Sequence, residues 1–442
     1  MQSHTKLFYH LLGNTLVSSI INYTVWFAIT FYVYLQTRSV FATGIIAGIY
    51  LVVTAVSGFW FGSLVDNNKK RTVMLFSSLL SLLAYGFSFA LYISVSPEAY
   101  KDPSHPLLWV LVLATMSGVM AGNIRNIAMP TLVTILIPPA DRDKANGIVG
   151  TGAGIAFLIT SVFSGLLVAH SGMFLALLLA IILTLASILH LLPLNIPEKG
   201  IVHTEDQPKK VDIRGTLRLI RGIPGLLPLI FFTTFNNFLG GVFMALMDAY
   251  GLSLVSVQVW GFLWGALSTG FIVGGLLIAK KGLGKNPLRT MLLANIVIWA
   301  VTAVFTLPIS IVPTMIGMYI YMCLMPYIEA SEQTVLQKVV PPHRQGRVFG
   351  FAQSMEQAAS PLTAFLIGPL AQFIFIPFMT DGTGAQLIGS WFGTGANRGI
   401  ALLFTLTGIL GLIAALIALG SKYYRQLAHY YQKTPASQPA QE

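Results

Sequence analysis

Twelve long apolar segments constrain the fold of this chain more than any other feature. Each has roughly the 20 residues that an α-helix needs to cross a bilayer. Hydrophobic residues make up 55% of the chain and charged residues only 9%, which excludes a soluble multidomain protein. We therefore predict an all-α membrane protein with twelve transmembrane spans. The predicted spans are 8–35, 40–64, 73–95, 107–137, 147–168, 172–194, 225–250, 255–279, 288–307, 311–337, 347–375 and 397–420.

Basic residues are distributed unevenly among the loops that join these spans. If the N-terminus is cytoplasmic, the outer loops hold only Arg38, Lys101 and Arg398, and nearly all other bases lie inside. Because basic loops stay in the cytoplasm, we expect both termini there and the chain in a bacterial inner (plasma) membrane. These loops also account for the net charge of +11, so we expect no nucleic-acid partner.

An internal repeat divides the spans into two groups of six. Residues 131–147 align without a gap on 334–350, and each segment contains a span end, a Pro-Pro pair, a basic loop and a new span. Such parallel repeats are typical of transporters with a substrate site between their halves. We expect two pseudo-symmetric six-helix bundles, joined by a linker that is either a basic amphipathic helix or a solvated loop. The predicted bundles, linker and cytoplasmic tail are 1–194, 225–420, 195–224 and 421–442.

The loop between spans 2 and 3 is short and highly charged. Residues 62–75 read Gly-Ser-Leu-Val-Asp-Asn-Asn-Lys-Lys-Arg-Thr-Val-Met-Leu. A turn this polar cannot lie in hydrocarbon, so it predicts an interfacial hairpin. The pattern resembles the loop Gly-x-Leu-Ala-Asp-Arg-x-Gly-Arg-Lys of the major facilitator superfamily. The matching residues are Gly62, Leu64, Asp66, Lys70 and Arg71.

This resemblance implies a fold and a role for the loop. In that superfamily the Asp lies near a helix N-terminus and pairs with basic groups across the interface between two halves. Gly62, Asp66, Lys70 and Arg71 are therefore expected to form a conformational latch. The run 346–361 also resembles the start of helix 11 in the drug:proton antiporter branch, which contains the macrolide-efflux pumps and the enterobactin exporter.

The sequence has no pattern typical of catalysis or of a metal site. Cys323 is the only cysteine, and no HExxH, Gly-x-Ser-x-Gly or Walker motif occurs. A disulfide, a thiolate metal cluster and ATP as the energy source are thereby excluded. We expect no enzymatic activity, no cofactor and no metal.

Ionisable residues inside the predicted spans are candidates for proton coupling or substrate binding, because a charge at this depth costs at least ~2.5 kcal/mol. Arg125 lies near the middle of span 4, and Glu329 and Glu332 lie one turn apart on span 10. The repeat places Asn126 opposite Glu329. We expect an Arg–Glu pair across the pore that forms and breaks with each cycle and so loads and releases a proton. The alternative is a static salt bridge that fixes helix register.

Two other acids and a set of ring and amide side chains complete the candidates. Glu356 on span 11 is an equal candidate for a substrate site and a conformational latch, and Asp248 is expected to be a solvated acid at the outer end of span 7. Rings and amides suit an amphipathic organic substrate, cations included, although aromatic residues also serve as interface anchors. The cavity-lining candidates are Asn22, Tyr23, Trp26, Asn123, Asn126, Asn236, Asn237, Tyr319 and Tyr327.

These features predict a monomeric secondary transporter that acts by alternating access. Its partners would be protons, the lipid bilayer and an exported amphipathic molecule such as a drug, a macrolide-like compound or a siderophore. Two alternatives stay open. One is an uptake permease or uniporter for a small metabolite. The other is a non-transporting scaffold or receptor, which has no use for costly charges inside its spans.

Overall fold

The computed structural model describes residues 2–37, 40–198 and 212–435. These residues form helices and short turns and contain no strand. Twelve helical segments are long and apolar enough to cross a membrane, which confirms the predicted fold class. Arg38, most of the polar linker and the end of the tail lie outside the described residues.

The helices of each half follow the predicted spans closely. The N-terminal half consists of α1 (Gln2–Thr37), α2 (Val40–Asn67), α3 (Lys70–Ser94), α4 (Pro106–Gly122), α5 (Ile124–Leu136), α6 (Arg142–Ser171) and α7 (Phe174–Leu191). The linker holds α8 (Ile213–Gly222). The C-terminal half consists of α9 (Leu226–Leu252), α10 (Val257–Lys281), α11 (Pro287–Val304), α12 (Ile311–Val339), α13 (Gln345–Leu370), α14 (Ile376–Thr380), α15 (Thr383–Phe392) and α16 (Ala396–Gly420), followed by α17 (Lys422–Lys433). Twelve crossings place both ends of the chain on one side, which we call the terminal face; the opposite side is the far face.

The internal repeat is visible as the same pair of hydrogen bonds in both halves. Arg142, at the start of α6, donates to the carbonyls of Thr134 (2.8 Å) and Ile137 (3.3 Å). Gln345, at the aligned start of α13, donates to the carbonyls eight and five residues before it, at 2.9 Å and 3.2 Å. In each half, a side chain that follows the Pro-Pro turn satisfies carbonyls left free at the C-terminal end of the preceding helix. The two loops therefore have the same hydrogen-bond pattern, made by an arginine in one half and a glutamine in the other.

Span 4 is broken where the sequence predicts a continuous helix. α4 ends at Gly122 and α5 begins at Ile124, with Asn123 between them. The repeat aligns this break with Pro326, which lies inside α12 and removes one hydrogen bond of its ladder. Both halves are therefore irregular at aligned positions.

The two halves meet along a seam where α2 packs against α13 and α6 packs against α10. Glycines allow the first of these contacts. A methyl group on Gly350 would overlap the carbonyl of Gly58 and lie 3.1 Å from Cα of Gly62. α2 and α13 therefore approach each other backbone to backbone.

Short helices cover part of the terminal face. Asp212 caps the N-terminus of α8, because its Oδ1 accepts a hydrogen bond from the N–H of Gly215 (2.7 Å). α17 was expected only as a tail, but its Leu427 is fully buried. Burial raises the pKa of Tyr431 on α17, with Asp143 of the other half adding to the shift and Arg142 opposing it. α17 therefore lies near the seam, packed against α9, α12 and α16 of its own half.

Arg398 was expected in an outer loop, but it is buried at the start of α16. Its guanidinium donates to the carbonyls of Phe392 (2.5 Å), Thr306 (2.9 Å) and Leu307 (2.9 Å). Three carbonyls replace a carboxylate partner because the ends of α11 and α15 leave them free. Arg398 thus fastens the far face of the C-terminal half.

Candidate functional site

The carboxylate of Asp66, at the end of α2, crosses the seam at the terminal face. It accepts hydrogen bonds from the backbone N–H groups of Gly346 (2.6 Å) and Arg347 (2.8 Å) in the first turn of α13. Its Oδ2 also lies 4.0 Å from Nε of Arg347. An anion at a helix N-terminus satisfies free N–H groups and interacts favourably with the helix dipole. Asp66 therefore joins the two halves.

The other residues of the predicted latch have different partners. The N–H of Lys70 donates to both carboxylate oxygens of Glu198 (2.7 and 2.9 Å), and Arg71 donates to a carbonyl just after α7. Burial raises the pKa of Glu198, while the charge and the N–H of Lys70 oppose this shift. Lys70 and Arg71 thus tie α3 to its own half, and only Gly62 and Asp66 of the expected set lie at the seam.

A second carboxylate crosses the seam at the pseudo-symmetric position. Oδ2 of Asp143, in the first turn of α6, accepts a hydrogen bond from the N–H of Leu283 (2.8 Å), just after α10. The sequence has no acid in the loop after α10 to match Asp66. The acid is on the facing helix α6 instead. In both contacts, therefore, the carboxylate belongs to the N-terminal half and the N–H group to the C-terminal half.

A third contact is a reciprocal pair of amides below these carboxylates. Asn146 donates to the side-chain oxygen of Gln337 (3.0 Å), and Gln337 donates back to Asn146 (3.2 Å). Asn146 also donates to the hydroxyl of Thr334 (2.8 Å), and Gln337 to the carbonyl of Pro130 (3.0 Å). Both amides are buried. Together with Asp66 and Asp143, this pair closes the terminal face between the halves.

A central hollow of about 330 Å³ lies between the halves, lined by α1, α5, α6, α12 and α13. Three of its lining residues are acids: Glu329, Glu332 and Glu356. Glu329 is exposed to the hollow, Glu356 is half-buried and Glu332 is 7% exposed. Tyr23 and Asn126 line the opposite wall. The hollow therefore brings the predicted acids together at the interface between the two bundles.

Glu332 and Glu356 form an acid pair. Their carboxyl groups converge on one hydroxyl, that of Thr233 on α9, which lies 2.9 Å from Glu356 and 3.4 Å from Glu332. In the described part of the chain, no ion pair involves these acids or Glu329. Two ionised carboxylates this close repel each other, and a shared proton removes that repulsion. The acid pair is thus suited to hold one proton.

Arg125 does not face the hollow, which corrects the expected Arg–Glu pair across the pore. Its guanidinium donates to Asn14 (2.5 Å) and to the hydroxyl of Ser78, both in the N-terminal bundle. No described carboxylate pairs with it in this conformation. Successive helical residues point about 100° apart, so Asn126 lines the hollow while Arg125, one residue earlier, faces its own bundle.

The predicted cavity-lining residues divide into two groups. Tyr23 and Asn126 line the central hollow, whereas most of the others contact their own half. Their partners are Tyr85 for Asn22 (3.0 Å), Tyr50 for Trp26 (4.1 Å between ring centroids), Trp299 for Asn236 (2.6 Å), the carbonyl of Thr233 for Asn237 (3.1 Å) and Thr269 for Tyr319 (3.4 Å). Asn123 lies at the break in span 4, and Tyr327 packs beside Ile278 and Leu283.

Four residues of the site were not anticipated from the sequence: Thr233, Asp143, Asn146 and Gln337. Asn146 and Gln337 are amides near span ends inside the two repeat segments, so a search of those segments for polar residues could have found them. Thr233 could not have been found in this way. Threonine is common in membrane helices, where its hydroxyl usually donates a hydrogen bond to a carbonyl of the same helix.

Comparisons with known proteins identify the family and the fold. A family model described as the Major Facilitator Superfamily matches residues 11–364. A bacterial homologue of the iron transporter ferroportin, in an outward-facing state, has a TM-score of 0.66 at 14% identity, covering 94% of this chain and 100% of that chain. The human organic anion transporter MFSD10 (TETRAN) has a TM-score of 0.67 at 13% identity, covering 92% and 99%. The proton:xylose symporter XylE has a TM-score of 0.66 at 13% identity, covering 94% of this chain and 96% of that chain. No curated protein matches the sequence.

Proposed function

The chain belongs to the major facilitator superfamily, and from this premise we propose that it is a proton-coupled exporter of an amphipathic small molecule. Proteins of this family are membrane transporters, not enzymes. The finer proposal rests on one observation, the acid pair of Glu332 and Glu356 at the wall of the central hollow. The resemblance of residues 346–361 to the drug:proton antiporters supports the same reading.

The position of the acid pair explains how proton binding would be linked to movement of the halves. A neutral carboxyl is easier to bury than a carboxylate, because ionisation requires water. In the narrow hollow seen here, Glu332 is nearly excluded from solvent, so this arrangement favours the pair with its proton. Loss of the proton favours a wider, hydrated hollow. Opening and closing of the seam would then load and release the proton in turn.

The contacts at the terminal face define which side is closed in this conformation. Asp66, Asp143 and the amide pair of Asn146 and Gln337 all join the halves there. The distribution of basic residues supports a cytoplasmic terminal face in a bacterial inner membrane. In the proposed cycle these contacts must break before a substrate can enter from the cytoplasm, and they form again as it leaves on the far side.

An export assay in an efflux-deficient bacterial strain tests this proposal. Cells that express the chain are given fluorescent amphipathic probes, such as ethidium and Nile red, with and without a protonophore. We expect lower accumulation of at least one probe, and we expect the protonophore to abolish this export. Replacing Glu332→Gln and Glu356→Gln together should reduce export by about tenfold or more, equivalent to at least about 1.4 kcal/mol.

The control is Glu98→Gln, an exposed acid on the far face that pairs only with Lys101 (2.7 Å) among the described residues. It should export at the wild-type rate. Export that survives both the protonophore and the double substitution would contradict proton coupling. Higher accumulation in expressing cells would contradict export and favour an uptake permease. No change with any probe would contradict export of this class of molecule.

A further inference from the structure

A second cavity, which we call the far cavity, lies away from the acid pair. It has a volume of about 400 Å³, and its walls are mainly aromatic rings and thioethers. Phe27 and Phe157 come from the N-terminal half, whereas Phe243, Met247 and Tyr321 come from the C-terminal half. Because both halves contribute, the far cavity is complete only in an arrangement of the halves like this one.

Asp248 is the one charged residue among the described residues that line the far cavity. Its Oδ1 accepts hydrogen bonds from the indole N–H groups of Trp260 (2.9 Å) and Trp264 (3.1 Å), one turn apart on α10. The two rings lie nearly perpendicular, at 78°, and Trp260 is buried against Gly251. Two fixed donors therefore hold the carboxylate in one orientation.

The second oxygen of Asp248 is available to a ligand. No described residue donates a hydrogen bond to Oδ2, and no described Lys or Arg pairs with the carboxylate. The side chain is exposed. A purely structural acceptor for two indoles needs only one oxygen, which an amide also supplies without a charge. The sequence predicted a solvated acid here, but the structure places it on the wall of an apolar cavity.

We infer that the far cavity binds an organic cation with an apolar, ring-bearing surface, and that Asp248 is its counter-ion. The inference rests on the proposed export function and names the class of substrate. Aromatic faces attract a cation within about 6 Å of the ring centroid, and apolar walls strengthen its attraction to a carboxylate relative to water. The same carboxylate repels organic anions, so the site selects by charge as well as by size.

Binding measurements on the purified full chain in detergent test this inference. The probes are tetraphenylphosphonium, which is cationic, and triphenylphosphine oxide, which is neutral and has similar rings. Asp248→Asn keeps an oxygen acceptor for the two indoles and removes the charge. It should weaken the binding of tetraphenylphosphonium by about tenfold, or about 1.4 kcal/mol, and leave the neutral probe within about twofold.

Two further variants make the result specific. Asp248→Glu keeps the charge, so it should keep the preference for the cation, and Glu98→Gln should bind both probes as the wild type does. Equal affinity of wild type and Asp248→Asn for tetraphenylphosphonium would overturn the inference. So would equal losses for both probes, or a wild-type chain that does not bind the cation.

Failure of this inference can be told apart from failure of the proposed function. Proton coupling depends on Glu332 and Glu356, whereas recognition of the cation depends on Asp248. If only the inference about the far cavity is wrong, Asp248→Asn binds the cation normally and export still requires the acid pair. If only proton coupling is wrong, export survives substitution of the acid pair while Asp248→Asn still weakens cation binding.

Discussion

Asp66 and Glu332 are both buried acids near the seam, yet their neighbours differ. Asp66 faces two backbone N–H groups and Arg347 across the seam. Glu332 faces another carboxyl group and the hydroxyl of Thr233. Positive partners stabilise a carboxylate, and a like charge favours a proton. The proposed roles of Asp66 as a latch and of Glu332 as a proton site follow from this difference in surroundings.

The latch is tested by Asp66→Asn, which keeps the size of the side chain and removes its charge. Because the charged hydrogen bonds and the interaction with the helix dipole are weakened, the closed conformation of the terminal face should lose about 1–2 kcal/mol of stability. We expect longer distances between spin labels on the ends of α2 and α13, measured by pulsed electron paramagnetic resonance. Asp141→Asn, an exposed acid paired with Lys144 on the same face, is the control. Identical distances in wild type and Asp66→Asn would rule out the latch.

Residue positions were predictable from the sequence where depth and helical spacing decide them. Glu329 and Glu332 lie one turn apart, and both line the central hollow. Arg125 was predictable in depth but not in direction, because the apolar pattern does not show which face of span 4 turns toward the other half. Asp248 looked like an interfacial acid, since its indole partners lie on another helix.

At the scale of helices, close backbone approach and the hydrogen bonds to Asp66 together set the contact between α2 and α13. The glycines at positions 58, 62, 346 and 350 lie along this contact. The repeated turns predicted where α13 begins, and the short loop predicted the hairpin of α2 and α3. The pairing of α2 with α13 was not predictable, because glycine is also common in helices that pack within one half.

Gly350→Ala tests the importance of this contact. The added methyl group would overlap the carbonyl of Gly58, so the helices must separate. We expect a lower thermal midpoint and a more open terminal face, with a cost of about 1–3 kcal/mol, as for overpacking in a core.

Gly368→Ala on the same helix is the matched control, because a methyl group there meets no atom within 4 Å. It should be neutral or slightly stabilising, since alanine favours helix formation over glycine. Equal thermal midpoints in Gly350→Ala and Gly368→Ala would contradict a close contact of α2 and α13.

At the scale of the whole molecule, the repeat and the apolar pattern were sufficient to predict two bundles. They could not predict which side of the seam is closed, because the bundles can pack in more than one arrangement. Polar contacts at Asp66, Asp143 and the amide pair of Asn146 and Gln337 close this side. Beside them, Phe59 of α2 packs against Phe351 of α13, so opening this face must separate apolar as well as polar groups.

The most direct test of the account measures whether the acid pair links protons to movement of the halves. Spin labels at Lys69 and His343 report on the terminal face, and labels at Lys101 and Asp381 report on the far face, in a Cys323→Ser background. We predict that neutral buffer, in which the carboxylate of Asp66 stays ionised, favours the closed terminal face seen here. Alkaline buffer should lengthen the terminal-face distances and shorten those on the far face, and Glu332→Gln with Glu356→Gln should abolish both changes. Distances that change with pH equally in wild type and in the double variant would contradict the account.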